Sequence, residues 1–315
     1  MALVTTINMD KELSKFLDSE FLERSEALLI HGEGAKKSHL KQNHGKTYTF
    51  TKRDPKQVAT TALTEGENPP ESGKSSGQVT AELKTYGDWE KISSLFKETS
   101  IDKGQQETIE VLAQQAAETI DALIRNSLHA GATTMFANGK AALSNLTNDD
   151  VLTLKEVKKA KRDLKKRNAK TYGDGYYIGK IGPDTAYNLM NDGAWIEAQK
   201  YTARKELYKG EIGTIASVRF LECSSNQKTE QAGSVTVYSN FIHGQQAFGT
   251  IALEGINETK LIIKNPDKHD TSNALNMFST AGWKAEAFAS AVLDPKWIIN
   301  IKTGAKELRD RKSVV

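Results

Sequence analysis

Hydrophobic positions along this chain change period several times, and each change marks a different kind of element. After Asp10, a suitable N-cap, Leu13, Phe16, Leu17 and Phe21 recur at helical spacing and predict a helix with one apolar stripe. His31 to Lys46 then turns glycine-rich, basic and unpatterned, which predicts a tether. A helix placed before a polar tether suits docking on another body, such as a neighbouring copy. Period two begins at Thr47, where Tyr48 and Phe50 alternate with threonines. Val79, Ala81 and Leu83 alternate with Thr80, Glu82 and Lys84 and give the return strand. Residues 64–78 between them, TEGENPPESGKSSGQ, are almost all turn formers and polar groups. The pattern therefore predicts a long hairpin over about residues 46–92. A two-stranded ribbon is marginal in water by itself, so this one must rest on something. A flap over its own domain and an arm over a neighbour fit the spacing equally.

Helical period returns near Asp102. Ile109, Leu112, Ala113, Ala116, Ile120, Leu123, Ile124 and Leu128 form one apolar face, with Gly131 as the expected stop. At about 1.5 Å per residue this is a rod on the order of 40 Å long. Thr153 and Glu156 have the spacing of a capping box for a second helix, running to about Ala169. Its inner stripe is Leu154, Val157, Ala160 and Leu164, and its outer face is dense in lysine and arginine. A strand is expected at 176–181, then a helix opened by Gly182-Pro183-Asp184 and running through Met190. Further strands are expected at 217–222, 234–242, 246–253 and 259–264, followed by a polar loop at 265–280. Trp283 to Leu293 and Trp297 to Ile301 read as final strands split by the turn pair Asp294-Pro295, and 304–315 as a charged tail. The fold class is α+β.

Composition narrows the function. Net charge is +3, from 43 basic and 40 acidic residues, too balanced for a dedicated DNA-coating protein. A mean hydropathy of −0.53 suits arms and loops better than one compact ball. The single cysteine, Cys223, excludes an intramolecular disulfide and any cysteine-cluster metal site, and reads as small semi-buried filler. No apolar run approaches the ~20 residues of a membrane helix, and the start MALVTTINMDKEL does not read as a signal peptide. The sequons at Asn145 and Asn257 are then chance matches, and the chain reads as made and assembled in a reducing cytoplasm.

Candidate chemistry is sparse. Gly73-Lys74-Ser75 resembles the end of a phosphate-binding loop, but Asn68 stands where the motif needs its first glycine. Gly32-Glu33-Gly34-Ala35-Lys36-Lys37 follows a helix, not a strand, and reads as linker. The six histidines show no metal-ligand spacing; His129, in the last turn of the long helix, suits the helix dipole. Asp149-Asp150 precede a helix N-terminus, which explains them without catalysis. No catalytic motif, cofactor or metal is expected. On the basic face, Lys158, Lys159, Arg162 and Lys166 would meet nucleic-acid phosphates or simply be a solvated helix face.

Taken in order, several segments resemble the major capsid proteins of tailed bacteriophages. They are ALTEG (62–66), YGDWEKISSL (86–95), IRNSLHAG (124–131), GPDTAYNLMND (182–192) and WIEAQKY (195–201). GEIGTIASVRFLE (210–222), YSNFIHGQQAFG (238–249) and GWKAEAFASAVLDPKWIINIKT (282–303) continue the series, so the resemblance spans about residues 20–303. It implies the Hong Kong 97-type capsid fold, in which an N-terminal arm and an extended loop reach over adjacent subunits. By that likeness 1–45 is the arm, 46–92 the extended loop, 93–145 with 280–303 the peripheral domain, and 146–279 the axial domain. The implied function is mechanical: hexamers and pentamers closing an icosahedral shell around double-stranded DNA, with no membrane involved. Scaffold, portal and decoration proteins are the implied partners, the virion the implied location. Tyr48, Phe50, Val79, Leu83 and Tyr86 become the expected intersubunit contacts.

Overall fold

The computed structural model describes residues 30–305, apart from 54–55, 57, 64, 67, 69–72, 74–75, 100–103, 202–210, 224–228, 234, 254–258 and 265–274. The helix expected after Asp10, much of the hairpin tip and most of the C-terminal tail lie outside the described residues.

The chain enters through β1 (Lys36–Leu40) and then forms the hairpin β2 (Thr47–Arg53) and β3 (Ser76–Glu82). Only Leu83 separates β3 from β4 (Lys84–Ser93), which leads through a short helix, α1 (Ser94–Thr99), into the spine helix α2 (Gly104–Gly131). The apolar stripe of α2 is the one its periodicity predicts: Ile109, Leu112, Ala113, Ala116, Ile120, Ile124 and Leu128 are all buried in one cluster. Ala113 and Ala116 are fully buried, and such small side chains let a sheet approach the helix axis closely. That sheet is built around β13 (Phe278–Val292), which pairs antiparallel with β4, with β12 (Lys260–Lys264) and with β11 (Phe248–Leu253). Trp283 of β13 donates its indole N–H to Gln115 of α2 at 3.0 Å, and Gln115 donates in turn to Asp88 of β4 at 2.7 Å. Gly131 is not in a left-handed conformation. A Cβ there would lie 2.6 Å from Val292, so close packing, not helix stopping, requires the glycine.

A second core lies under α3 (Leu154–Lys166), α4 (Pro183–Met190) and α5 (Gly193–Tyr201). Its seven-stranded sheet runs β5 (Thr133–Phe136), β14 (Ile298–Thr303), β10 (Val235–His243), β6 (Tyr177–Ile181), β8 (Val218–Glu222) and β7 (Glu211–Ile215), with β9 (Thr229–Ala232) on β10. The strand pairs β10–β11 and β13–β14 each cross from one sheet to the other, which ties the two cores together. The second crossing turns at Asp294, whose carboxylate accepts from the Lys296 amide at 3.1 Å before Pro295 sets the tight turn.

The apolar stripe of α3 is buried as its spacing predicts, but the capping box is not formed. Thr153 holds the N-cap position without a side-chain bond; Asp192 instead accepts from the Leu154 amide at 3.0 Å, and Glu156 takes Lys159 at 2.9 Å. The expected tether at 31–46 contains β1, which pairs parallel with β11 from Lys36↔Gly249 to Leu40↔Leu253. Its side chains are largely exposed, so backbone pairing with a distant strand makes this strand, and no local alternation announces it. α5, β5, β7 and β9 also form where no element was expected, and β4, within the range expected of the hairpin, pairs with β13.

Candidate assembly surfaces

The hairpin pairs in simple register from Thr47↔Glu82 to Arg53↔Ser76. Its base rests on its own chain. Phe50, Ala81 and Leu83 are buried with Leu40, Ile251 and Ala289, and Tyr48 and Val79 pack partly against them. Lys52 pairs with Asp294 and lies 5.9 Å from the Trp297 ring centroid. Phe50 and Leu83, expected to face a neighbour, thus rest within their own chain: alternating residues of a ribbon share one face, and this face found β11 and β13. Tyr86 likewise packs against the α2 core. The outer face, with Thr49, Thr51, Gln78 and Thr80, is exposed, and past the strands Val58 and Leu63 are 85% and 72% exposed.

A second open surface lies on the sheet formed by β4, β13 and β12. Directly paired residues share a face, so Trp89, Gly282 and Ile262 form one row, and Lys91, Thr280 and Lys264 the next. A Cβ at Gly282 would sit 2.7 Å from the Trp89 Cβ, so glycine is what lets the indole lie across the sheet. Trp89 remains 59% exposed and Ile262 46%. The Lys91 ammonium sits 5.3 Å from the Trp89 ring and 4.7 Å from that of Phe278. The result is a shallow apolar hollow rimmed by lysines.

On α3, Lys158 and Lys166 are exposed, but the basic face is already partly neutralised. Lys159 pairs with Glu156 at 2.9 Å, Arg162 with Asp163 at 2.9 Å, and Lys161 donates to Ser217 at 3.1 Å. We expect charge reversal at Lys158, Lys159 and Arg162 to change the DNA affinity of the unassembled subunit less than threefold at physiological salt. A larger loss, with a steep salt dependence, would restore this face as a phosphate-binding surface.

The feature that sequence reading missed is a buried polar cluster where the entering segment meets the spine helix. The His31 amide donates to Asp121 Oδ1 at 2.6 Å, and its ring Nδ1 lies 2.7 Å from Asp121 Oδ2. Cys223 Sγ is 3.6 Å from that same Nδ1 and 3.9 Å from Asp121 Oδ2. Lys180 donates to the His31 carbonyl at 2.6 Å, and burial pushes its pKa down to about 7 against the opposing pull of Asp121. Tyr172 Oη lies 2.9 Å from the Gly34 carbonyl and 3.1 Å from His243 Nδ1. Burial holds His31 below its usual pKa and His243 well below it, with Lys180 adding to both. These residues come from six separate places in the chain and share no spacing that could signal them.

A pH dependence follows. Folded His243 stays neutral, whereas the unfolded chain protonates it below pH ~6.5. The unfolded state then binds more protons, so stability is full above that pH and is lost as the pH falls through it. Denaturant titrations of the unassembled subunit are expected to show His243→Gln flattening this slope by about 1 kcal/mol per pH unit between roughly pH 6 and 5. Equal slopes would contradict the assignment.

The remaining sequence candidates are structural or lie outside the described residues. Asp150 accepts from the Thr147 amide at 2.8 Å, its hydroxyl at 2.9 Å and Asn138 at 2.9 Å, which fixes a turn. His129 is in the last turn of α2 and pairs with Glu230 at 2.8 Å. Gly73 is exposed, while Lys74 and Ser75 are not described. No helix among the described residues is long and apolar enough to cross a membrane.

A spine helix on a long sheet, a two-stranded ribbon and a second α/β core make up the Hong Kong 97-type fold. The model of the phage capsid protein family matches residues 75–253, more than half of the chain, and the chain belongs to that family. Among solved structures, the capsid of Ralstonia phage GP4 is similar, with a TM-score of 0.70 at 12% identity over 90% of this chain and 92% of that one. The capsid of cyanophage P-SCSP1u gives 0.64 at 14% identity, over 87% and 88% of the two chains. The head of Helicobacter pylori bacteriophage KHP40 gives 0.65 at 12%, over 86% and 88%. A comparison with curated proteins finds no match. The chain is therefore a phage capsid protein, a structural component of the virion shell.

Proposed function

We propose that this chain forms the hexamers and pentamers of an icosahedral phage head and encloses double-stranded DNA. The observation that carries this reading is the ribbon: it is footed on its own chain but leaves Val58 and Leu63 exposed beyond that footing. Exposed apolar side chains that share one face are characteristic of an association surface, and the Trp89–Ile262 hollow offers such a surface. In this reading 1–45 is an arm, 46–92 the extended loop, whose last strand β4 pairs with β13, and 93–145 with 280–303, holding α2 and most of β13, the peripheral domain. The sheet around β10 with α3, α4 and α5 is the axial domain, and β5 and β14 lie at the seam. Scaffold and portal proteins complete the assembly, and packaged DNA is met without sequence preference. Summed over a shell, many modest contacts per subunit suffice for a stable particle.

Electron microscopy of the protein co-expressed with the neighbouring virion proteins tests the reading. Closed particles tens of nanometres wide are the expected result; discrete monomers under all such conditions would refute it.

A further inference from the structure

We propose that His31, Asp121 and Cys223 form a binding site for a thiophilic divalent cation, with zinc the best fit, that clasps the segment entering β1 to the spine helix. All three side chains are buried, and one donor atom from each, Nδ1, a carboxylate oxygen and Sγ, lies within 4.8 Å of the others. Borderline-soft donors of this kind select zinc over magnesium or calcium, which take oxygen ligands.

The distances fit one shared ion. Zinc bonds of about 2.3 Å to sulfur and about 2.0–2.1 Å to nitrogen or oxygen place neighbouring donors of a tetrahedral ion roughly 3.6 Å apart for S···N and about 3.3 Å for N···O. The observed Sγ···Nδ1 separation is 3.6 Å and Sγ···Oδ2 is 3.9 Å. The Nδ1···Oδ2 contact, at 2.7 Å, is a hydrogen bond, and it opens by about half an ångström when a cation replaces its proton. On binding, the thiol S–H bond breaks, its proton leaves to solvent and a sulfur–metal bond forms. The imidazole proton moves from Nδ1 to Nε2. Lys180 and Arg125 bring positive charge near the cluster, so the cation needs thiolate and carboxylate together to balance it. A water molecule takes the fourth position.

The location gives the site a mechanical role. His31 belongs to the entering segment, Asp121 lies midway along α2, and Cys223 directly follows β8, its amide donating to the Ile181 carbonyl at 2.8 Å. One ion would join three elements that otherwise meet through hydrogen bonds.

Cobalt provides the test, because a cobalt–thiolate bond gives a charge-transfer band and the chain carries a single cysteine. Untagged full-length protein, chelator-treated and held under a non-thiol reductant, is titrated with cobalt(II). The expected result is a sulfur-to-cobalt band and the visible bands of a tetrahedral ion, saturating near one equivalent and displaced by zinc. Asp121→Asn is expected to weaken binding at least tenfold, and Cys223→Ser, nearly isosteric, to abolish the band. No charge-transfer band in the folded wild-type chain overturns the proposal, whatever the variants do. A band unchanged in Asp121→Asn would overturn the ligand set.

Discussion

Replacing Asp121 with alanine is expected to lower the stability of the unassembled subunit by about 3–5 kcal/mol, the largest single-site effect predicted for this chain. The carboxylate is fully buried and accepts two hydrogen bonds from His31. Its charge also acts on Lys180, which is held beside it with its ammonium away from solvent. Truncation leaves the two His31 donors unpaired and takes the counter-charge from Lys180, which must then shed its proton or stay charged in an interior too apolar to solvate it. The double variant Asp121→Asn with Lys180→Met is expected to recover much of the loss, because removing both charges costs less than leaving one. Urea titrations in chelator, with cooperativity checked by two probes, decide it. A loss below about 1 kcal/mol would show that the cluster carries little of the fold's stability.

The second large effect concerns assembly and leaves folding alone. Excising residues 54–75 and joining β2 to β3 through a two-residue turn retains Phe50, Ala81 and Leu83 on their footing. Unfolding of the subunit should change by less than about 1 kcal/mol, since shortening a surface loop costs little entropy. Particle yield under assembly conditions is expected to fall at least tenfold, read by sedimentation and electron microscopy. Normal particles from this variant would remove the hairpin tip from the assembly mechanism. Loss of folding would instead show that the ribbon is part of the core.

The two expectations separate what is internal from what is shared between copies. Asp121 lies where the chain closes on itself, and its loss acts before any neighbour is present. The tip follows the last buried residue of the first ribbon strand, and its loss is expected to act only when a second subunit arrives.

Much of the fold, though not this division, was legible along the chain. The stripe of α2, the inner face of α3 and the pairing of Thr47–Thr51 with Val79–Leu83 are local periodicities, and side-chain direction follows directly from period. β1 was not legible, because its strand character comes from β11, more than two hundred residues away. α5 went unnoticed because Trp195 and the exposed Ile196 sit side by side and blur a helical stripe; among its described side chains, Trp195 is the one buried in the core beneath it. The capping box failed for a related reason. Asp192, brought in by the fold, caps the Leu154 amide, and the Glu156 amide that Thr153 was expected to hold through its side chain bonds the Thr153 carbonyl.

Sequence by itself determined the elements whose hydrophobic faces repeat at a fixed interval, and, through ordered resemblance, the shell-protein class. Tertiary structure decided what those faces meet: Phe50 and Leu83 turned inward onto β11 and β13, Trp89 was left open on a sheet by Gly282, and His31, Asp121 and Cys223 were gathered into one cluster. The physical reason is that periodicity fixes which side chains share a face. Long-range pairing, which depends on the whole chain at once, fixes what that face is packed against.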